Sequence, residues 1–484
     1  MRRLIAVSAF LLLAGPAWAE MPFYVGSGTF TNSLTTCQAP FDVPTQVNDI
    51  ALLVAESENE TISLSSAQGF VQVTNSPQGA GTAATNPANA IAVYWKRIDL
   101  VGGGTAPTVA DSGNHTTCQI HIFRGVKLTG DPWNITAGGN DGGNNDTTAV
   151  IPGATTTASN CLVAIIEGTS FNGTSTEQCG AATNADLANI TERSDNTHTV
   201  GLGGGHCLIT GEKASAGAYT DTTLTLANTS FKGAMSIALE GAVNTGVWVR
   251  SAAGNPGYSL RTNTTLVAPA GIENDNILLL FFVIAAQTSA PTPTPPSGFT
   301  VLTGFPNDIS DGLGFNVDYY AWRKIASGES GDYTITHTSA TTDAFMYVLA
   351  GADTTTPINP NPTLNEGTTG TTTTALGLTT AIDNSLVIFA THNWDEYNDT
   401  ASPPTGTTPT FTERLNSTGI LYLADGLLAT AGATGNKSHE NQNTSQGCDA
   451  EGECPWFGSL VAVAASSGAP PPAPPRMTIL GVGP

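Results

Sequence analysis

The residues that could do chemistry in this chain are few and unevenly spaced. Residues 392–399 (HNWDEYND) follow an apolar run and bring Trp394 and Tyr397 together with Asp395 and Glu396. Flat aromatic faces and carboxylate acceptors in one loop suit a sugar ring and its hydroxyls, so these four are the expected ligand-binding residues. They make a poor glycosidase pair, because adjacent side chains on an extended segment point to opposite sides. Residues 138–146 (GGNDGGNND) gather Asn140, Asp141, Asn144 and Asp146. These are oxygen donors of the kind that surround Ca²⁺, the one cofactor the sequence suggests. No acid closes an EF-hand loop here, and a solvated turn is the competing reading.

The seven histidines are His115, His121, His198, His206, His337, His392 and His439. His198 and His206 flank a glycine run (residues 201–205, GLGGG) and could meet across a hairpin as a metal pair. His121 sits in an alternating stretch (QIHIF) and reads as a packed histidine. The chain has no Gly-x-Ser-x-Gly elbow, no His-Glu-x-x-His helix and no Walker loop. The glycine run lacks the Lys-Ser/Thr that a phosphate loop needs. No catalytic residues are expected, and the chain reads as a non-enzyme.

Seven cysteines remain: Cys37, Cys118, Cys161, Cys179, Cys207, Cys448 and Cys454. Cys448 and Cys454 enclose a short acidic loop (GCDAEGEC) and form the expected disulfide. Cys179 with Cys207, and Cys37 with Cys118, are further pairings that spacing alone does not decide. Cys161 opens an apolar stretch (CLVAIIEG) and is the candidate for a buried, unpaired thiol. Zinc-finger spacing is absent.

The N-terminus supplies a compartment in which such bridges persist. Residues 1–19 (MRRLIAVSAFLLLAGPAWA) have a basic start, a short apolar run and small residues at Ala17 and Ala19, the pattern of a secretory signal peptide. No later run is long enough to suggest a transmembrane helix. The 484 residues carry 16 basic and 39 acidic side chains, a formal net charge of −23. That balance argues against nucleic acid as a partner, since phosphate binding needs clustered Lys and Arg. Charged residues are only 11% against 40% hydrophobic, which is enough apolar material for sizeable cores.

The elements that must hold these residues are strands. Apolar runs of five to nine residues are separated by Thr, Gly, Asn, Asp and Pro clusters, and no capped amphipathic helix is evident. Five blocks recur in order. VNDIALLV at 47 is echoed by ENDNILLL at 273, offset 226; WKRI at 95 by WRKI at 322, offset 227. QIHIFRGV at 119 is echoed by FMYVLAGA at 345, offset 226; SNCLV at 159 by DNSLV at 383, offset 224. GAMSIALEG at 233 is echoed by GSLVAVAAS at 458, offset 225. The expected architecture is all-β, with two homologous jelly-roll-like or immunoglobulin-like β-sandwich domains in tandem, at 22–243 and 244–467. A Pro-rich tail, 468–484, follows as an extended spacer.

The blocks NDIALLV, VYWKRI and PTVADSGNHTTCQIHIFRGV, with the start MPFYVGSGTF, resemble β-sandwich proteins of tailed bacteriophages and marine bacteria. That resemblance implies a virion or surface component. It rests on strand and turn motifs, not on an active site. The expected function is therefore a non-catalytic extracellular or virion-surface structural or adhesion protein. The alternative is a carbohydrate-binding protein or an accessory module of a polysaccharide-degrading system. Its partners would be a cell-surface or glycan ligand or virion proteins, with a homo-oligomer compatible with either. Its location would be secreted, extracellular or cell-surface, or else the virion.

Overall fold

The computed structural model describes residues 18–99, 102–110, 113–173, 178–244, 246–286, 291–310, 316–367, 372–393, 404, 408–416, 421–440 and 456–466. They fall into two compact units that divide between Val243 and Asn244. Apart from a 3-10 turn at Asp141–Gly143, the described elements are β-strands, paired antiparallel.

The N-terminal unit is built on nine principal strands: Phe23–Ser27 (β1), Ile50–Ser57 (β2), Ala88–Arg97 (β3), Thr116–Arg124 (β4), Trp133–Gly139 (β5), Cys161–Thr169 (β6), Ala188–His198 (β7), Gly204–Lys213 (β8) and Lys232–Glu240 (β9). One sheet runs β1-β4-β2-β3 and the other β5-β9-β6-β8-β7. The C-terminal unit uses Trp248–Leu266 (β10), Ile277–Ala286 (β11), Asn316–Ile325 (β12), Tyr333–Ala350 (β13), Thr363–Gly367 (β14), Ser385–Asn393 (β15), Thr412–Asn416 (β16), Leu421–Leu428 (β17) and Trp456–Val463 (β18). Its sheets run β10-β13-β11-β12 and β14-β18-β15-β17-β16. Adding nine to every label of the first plan yields the second.

Each unit is one sandwich with its outer faces covered. In the N-terminal unit Ile50, Leu52 and Val54 of β2 meet Leu162, Ala164 and Ile166 of β6 in the inner core. The reverse face of β2, Ala51, Leu53 and Ala55, lies with Cys37 and Val109 under a cover sheet of Thr36–Gln38, Ser63–Ser66 and Thr108–Ala110. The reverse face of β6 lies under Ile151, Leu224 and Leu226. In the C-terminal unit Leu279 and Phe281 meet Ile388 and Val461 inside. Outside, Leu280 and Phe282 lie under Leu266 and Ile335, where β10 and β13 run on as a two-stranded arm. Strands buried on both sides need apolar residues at consecutive positions, hence the unbroken runs of β6 and β11. The covers also account for the length of a unit, well above the ~100 residues of a simple immunoglobulin sandwich.

Both disulfides of the described residues staple a cover to a sheet. Cys37 of the cover bonds Cys118 of β4, and Cys179, bridged to the Leu226 strand, bonds Cys207 of β8. Cys161 is buried and unpaired. Cys448 and Cys454 lie outside the described residues, as do residues 1–17 and the tail.

The recurring blocks fall on equivalent strands, but three of the five are out of register by one residue. Asn48 and Asp275 take the same left-handed turn position (φ 75° and 69°). The next residue caps the turn in each unit: Asp49 Oδ2 accepts the Gln46 N–H at 2.7 Å, and Asn276 Oδ1 accepts the Glu273 N–H at 2.9 Å. Asp49 therefore matches Asn276 (276 − 49 = 227), not Asp275. Trp95 pairs with Leu52 and packs on the inner core, whereas Trp322 pairs with Leu280 and lies in the outer cluster. Leu239 lies opposite Leu162 as Val463 lies opposite Leu386, an offset of 224 instead of 225. The blocks at 119 and 159 keep register: Phe123 faces Ile50 as Leu349 faces Ile277, and Asn160 and Asn384 share φ of 55° and 58°.

Candidate functional site

Alternation along the strands places a polar cluster between the sheets at one end of the N-terminal unit. On β2 the inward positions are Ile50, Leu52, Val54 and then Glu56. On β4 they run back from Phe123 through His121, Gln119 and Thr117 to His115, just before the strand. From the facing sheet, β7 ends with Asn196 and His198, and β8 begins with Gly204, Gly205 and His206.

Glu56 and His115 are fully buried and His198 is 5% exposed. His115 Nε2 lies 3.3 Å from Glu56 Oε2, and its Nδ1 lies 3.7 Å from Glu58 Oε2. Asn89 Nδ2 donates to Glu56 Oε1 at 3.0 Å, and Thr117 Oγ1 donates to Oε2 at 3.4 Å. One donor atom each from Glu56, His115 and His198 lies within 4.8 Å of the others. The rings of His115 and His198 meet edge to face at 4.8 Å, Phe30 lies 5.5 Å from His206, and His206 lies 6.1 Å from His121. Gln119 ties the cluster across the sheets by accepting from Asn196 Nδ2 at 3.1 Å.

Burial sets the electrostatics. It raises the Glu56 carboxyl, against the pull of His115, and raises Glu58 to about 7. It lowers His198 to about 4 and His206 to about 3, each helped by a neighbouring imidazole, and holds His121 well below its usual value. These three rings are therefore neutral at neutral pH. His206 makes no hydrogen bond from either nitrogen, and His198 makes none from Nε2. His198 Nδ1 accepts the Val200 N–H at 3.0 Å.

The glycine run is part of this construction. Gly201 and Gly203 have φ of 62° and 81°, and Gly204 has φ of 148°. A Cβ on Gly204 would collide with Glu56 Oε1, and one on Gly203 with Asn172. Glycine is required so that the hairpin backbone can close over the carboxylate.

A second buried polar site lies under the outer cover of the other sheet, at the loop read as a Ca²⁺ candidate. Lys232 Nζ, fully buried, sits 2.6 Å from Asp146 Oδ1, 3.1 Å from Asp141 Oδ2 and 3.2 Å from the Asn144 carbonyl. Asn140 Nδ2 donates instead to the Gly79 carbonyl at 3.2 Å. An ammonium from the chain itself thus meets Asp141 and Asp146, two of the four side chains expected to hold calcium. Glu167 lies nearby, its oxygens making no hydrogen bond, and burial raises it well above the carboxylate range.

Of the residues singled out from the sequence, His198 and His206 do approach the same cluster, joined by His115 and His121. Trp394, Asp395, Glu396 and Tyr397 lie outside the described residues. His392, which leads into that loop, is buried 5.3 Å from Phe457. Sequence reasoning gave no role to Glu56, Glu58 or Asn89. The available signal was parity, since Glu56 continues the inward series 50, 52, 54.

The C-terminal unit replaces three of these inner groups with apolar or aromatic ones, while Asp343, fully buried, stands for Thr117 (343 − 117 = 226). Val283 stands for Glu56 (283 − 56 = 227), Tyr347 for His121 (347 − 121 = 226) and Leu421 for His206 (421 − 206 = 215). Among the described residues, the Glu56, His121 and His206 positions are thus polar in the N-terminal unit alone. No protein-family model matches the chain, and comparisons with curated proteins and with solved structures find no match.

Proposed function

We propose that this protein is a non-catalytic structural or adhesion component displayed outside the cytosol, on a cell surface or a virion, built by duplication of one sandwich. The supporting observation is the single strand plan repeated in two units whose sheets are covered on both faces. The exposed faces of those covers are largely polar, as in Ser63–Ser66 and Thr222–Ser230, which suits a hydrated spacer. Disulfides that staple both covers of the N-terminal unit are compatible with an oxidising compartment. No helix among the described residues is long and apolar enough to cross a membrane.

The test is antibody labelling of intact, unpermeabilised cells and of purified virions, with adhesion of protein-coated beads to host cells. Labelling of either intact particle, together with bead retention, is the expected result. Labelling only after lysis would overturn the reading.

A further inference from the structure

The Glu56–His115–His198 cluster carries more than packing requires. Burying two carboxylates and an imidazole in the inner core costs several kcal/mol of desolvation unless their charges are met. Glu56 and Glu58 bring two acidic groups to one imidazole, His115. His198 turns into the same space an Nε2 that bonds nothing.

We propose that Glu56, His115 and His198 form a buried site for a divalent first-row transition ion, Zn²⁺ above all, that clips the two sheets of the N-terminal unit together. The donor set is two imidazoles and a carboxylate, which favours zinc-like ions over Ca²⁺ or Mg²⁺. Ligand atoms around a tetrahedral ion with bonds of ~2.1 Å lie about 3.4 Å apart. Glu56 Oε2 and His115 Nε2, at 3.3 Å, already have that separation. The supports are those of an outer ligand shell: Asn89 and Thr117 donate to Oε1 and Oε2 of Glu56 and fix its carboxylate, and Glu58 stands 3.7 Å behind Nδ1 of His115. Glu56 and His115 come from the β2–β4 side and His198 from the end of β7, so the ion would bridge the sheets. With three protein donors, the fourth tetrahedral position would fall to a water or hydroxide.

Coordination through Nε2 of His198 requires its proton to sit on Nδ1. The Val200 N–H that now points at Nδ1 must then turn away. Val200 precedes the positive-φ glycines 201 and 203, where the chain can make that change.

The untagged full-length chain, stripped with chelator and dialysed against Zn²⁺, should retain one equivalent by elemental analysis. Glu56→Gln and His198→Gln should each weaken retention at least tenfold. Retention of no zinc, or of one equivalent undiminished in folded variants, would overturn the site. If the variants fail to fold, the wild-type chain still decides. Co²⁺ should give the intense visible bands of a four-coordinate ion and should change exchange at the Val200 amide. Weak octahedral bands, or an unaltered Val200, would refute the assignment.

Discussion

His206→Phe tests the polar cluster most sharply, because His206 is fully buried and neither nitrogen has a hydrogen-bond partner. In the unfolded chain its imidazole titrates near pH 6.5, and in the folded unit burial and His198 push it to about 3. Below about pH 6.5 the unfolded state takes up a proton that the folded state refuses. The stability is therefore intact above that pH and is lost as pH falls toward 3. At about pH 4.5, two units below the unfolded value, the loss is roughly 2.7 kcal/mol at 1.36 kcal/mol per unit. For a domain of this size that corresponds to roughly 5–10 °C in Tm. Glu58, raised to about 7, has the opposite sign: its contribution is present at low pH and lost as pH rises through 7. It remains in both proteins and cancels in the difference. Phenylalanine beside Phe30 fills the same space without a basic nitrogen. Calorimetry of chelator-treated full-length chains should show the two proteins similar near neutral pH and the variant more stable by this margin near pH 4.5. Parallel losses in both proteins would refute the reasoning.

The remaining predictions concern the staples, the turn, the internal cation and the loop. Loop lengths set by sequence separations of 81 and 28 residues imply that Cys37→Ser/Cys118→Ser costs about 4.5 kcal/mol and Cys179→Ser/Cys207→Ser about 3.6 kcal/mol in urea unfolding. The reverse order would speak against loop closure as the cause. Gly204→Ala should destabilise by at least ~2 kcal/mol in the same assay, since its φ and Glu56 both oppose a Cβ. Lys232→Met should lower the urea midpoint by leaving Asp141 without its ammonium, while millimolar Ca²⁺ leaves the wild-type Tm unchanged. A saturable Ca²⁺ shift in the wild type would support calcium at those oxygens. On a glycan array, binding that disappears in Trp394→Ala would place recognition in that loop, and no binding by either protein would remove it.

Much of the architecture was legible because strands and turns have local signatures. The Asn–Asp turns, the apolar runs and the order of the repeated blocks all follow from backbone preference and burial. Register was not legible in the same way. A one-residue slip exchanges the two faces of a strand, yet Leu279 and Leu280 are both buried, so neither alignment is penalised. The positive-φ residues Asn48 and Asp275 and the turn caps Asp49 and Asn276 reveal the true offset. The polar cluster was half legible. His198 and His206 stood out by flanking the glycines, but Glu56 and Asn89 become neighbours only when strands distant in sequence pair. Lys232 beside the calcium candidate was not legible for the same reason, since 86 residues separate it from Asp146.

The repeated, doubly covered sandwich is tested most directly by amide hydrogen exchange on the intact chain. Peptides from Ile50–Ser57 and Cys161–Thr169 should be the slowest to exchange in the N-terminal unit, with Ile277–Ala286 and Ser385–Asn393 the slowest in the C-terminal unit. Exchange in any of these four strands as fast as in the connecting turns would contradict a core layered on both sides of each sheet.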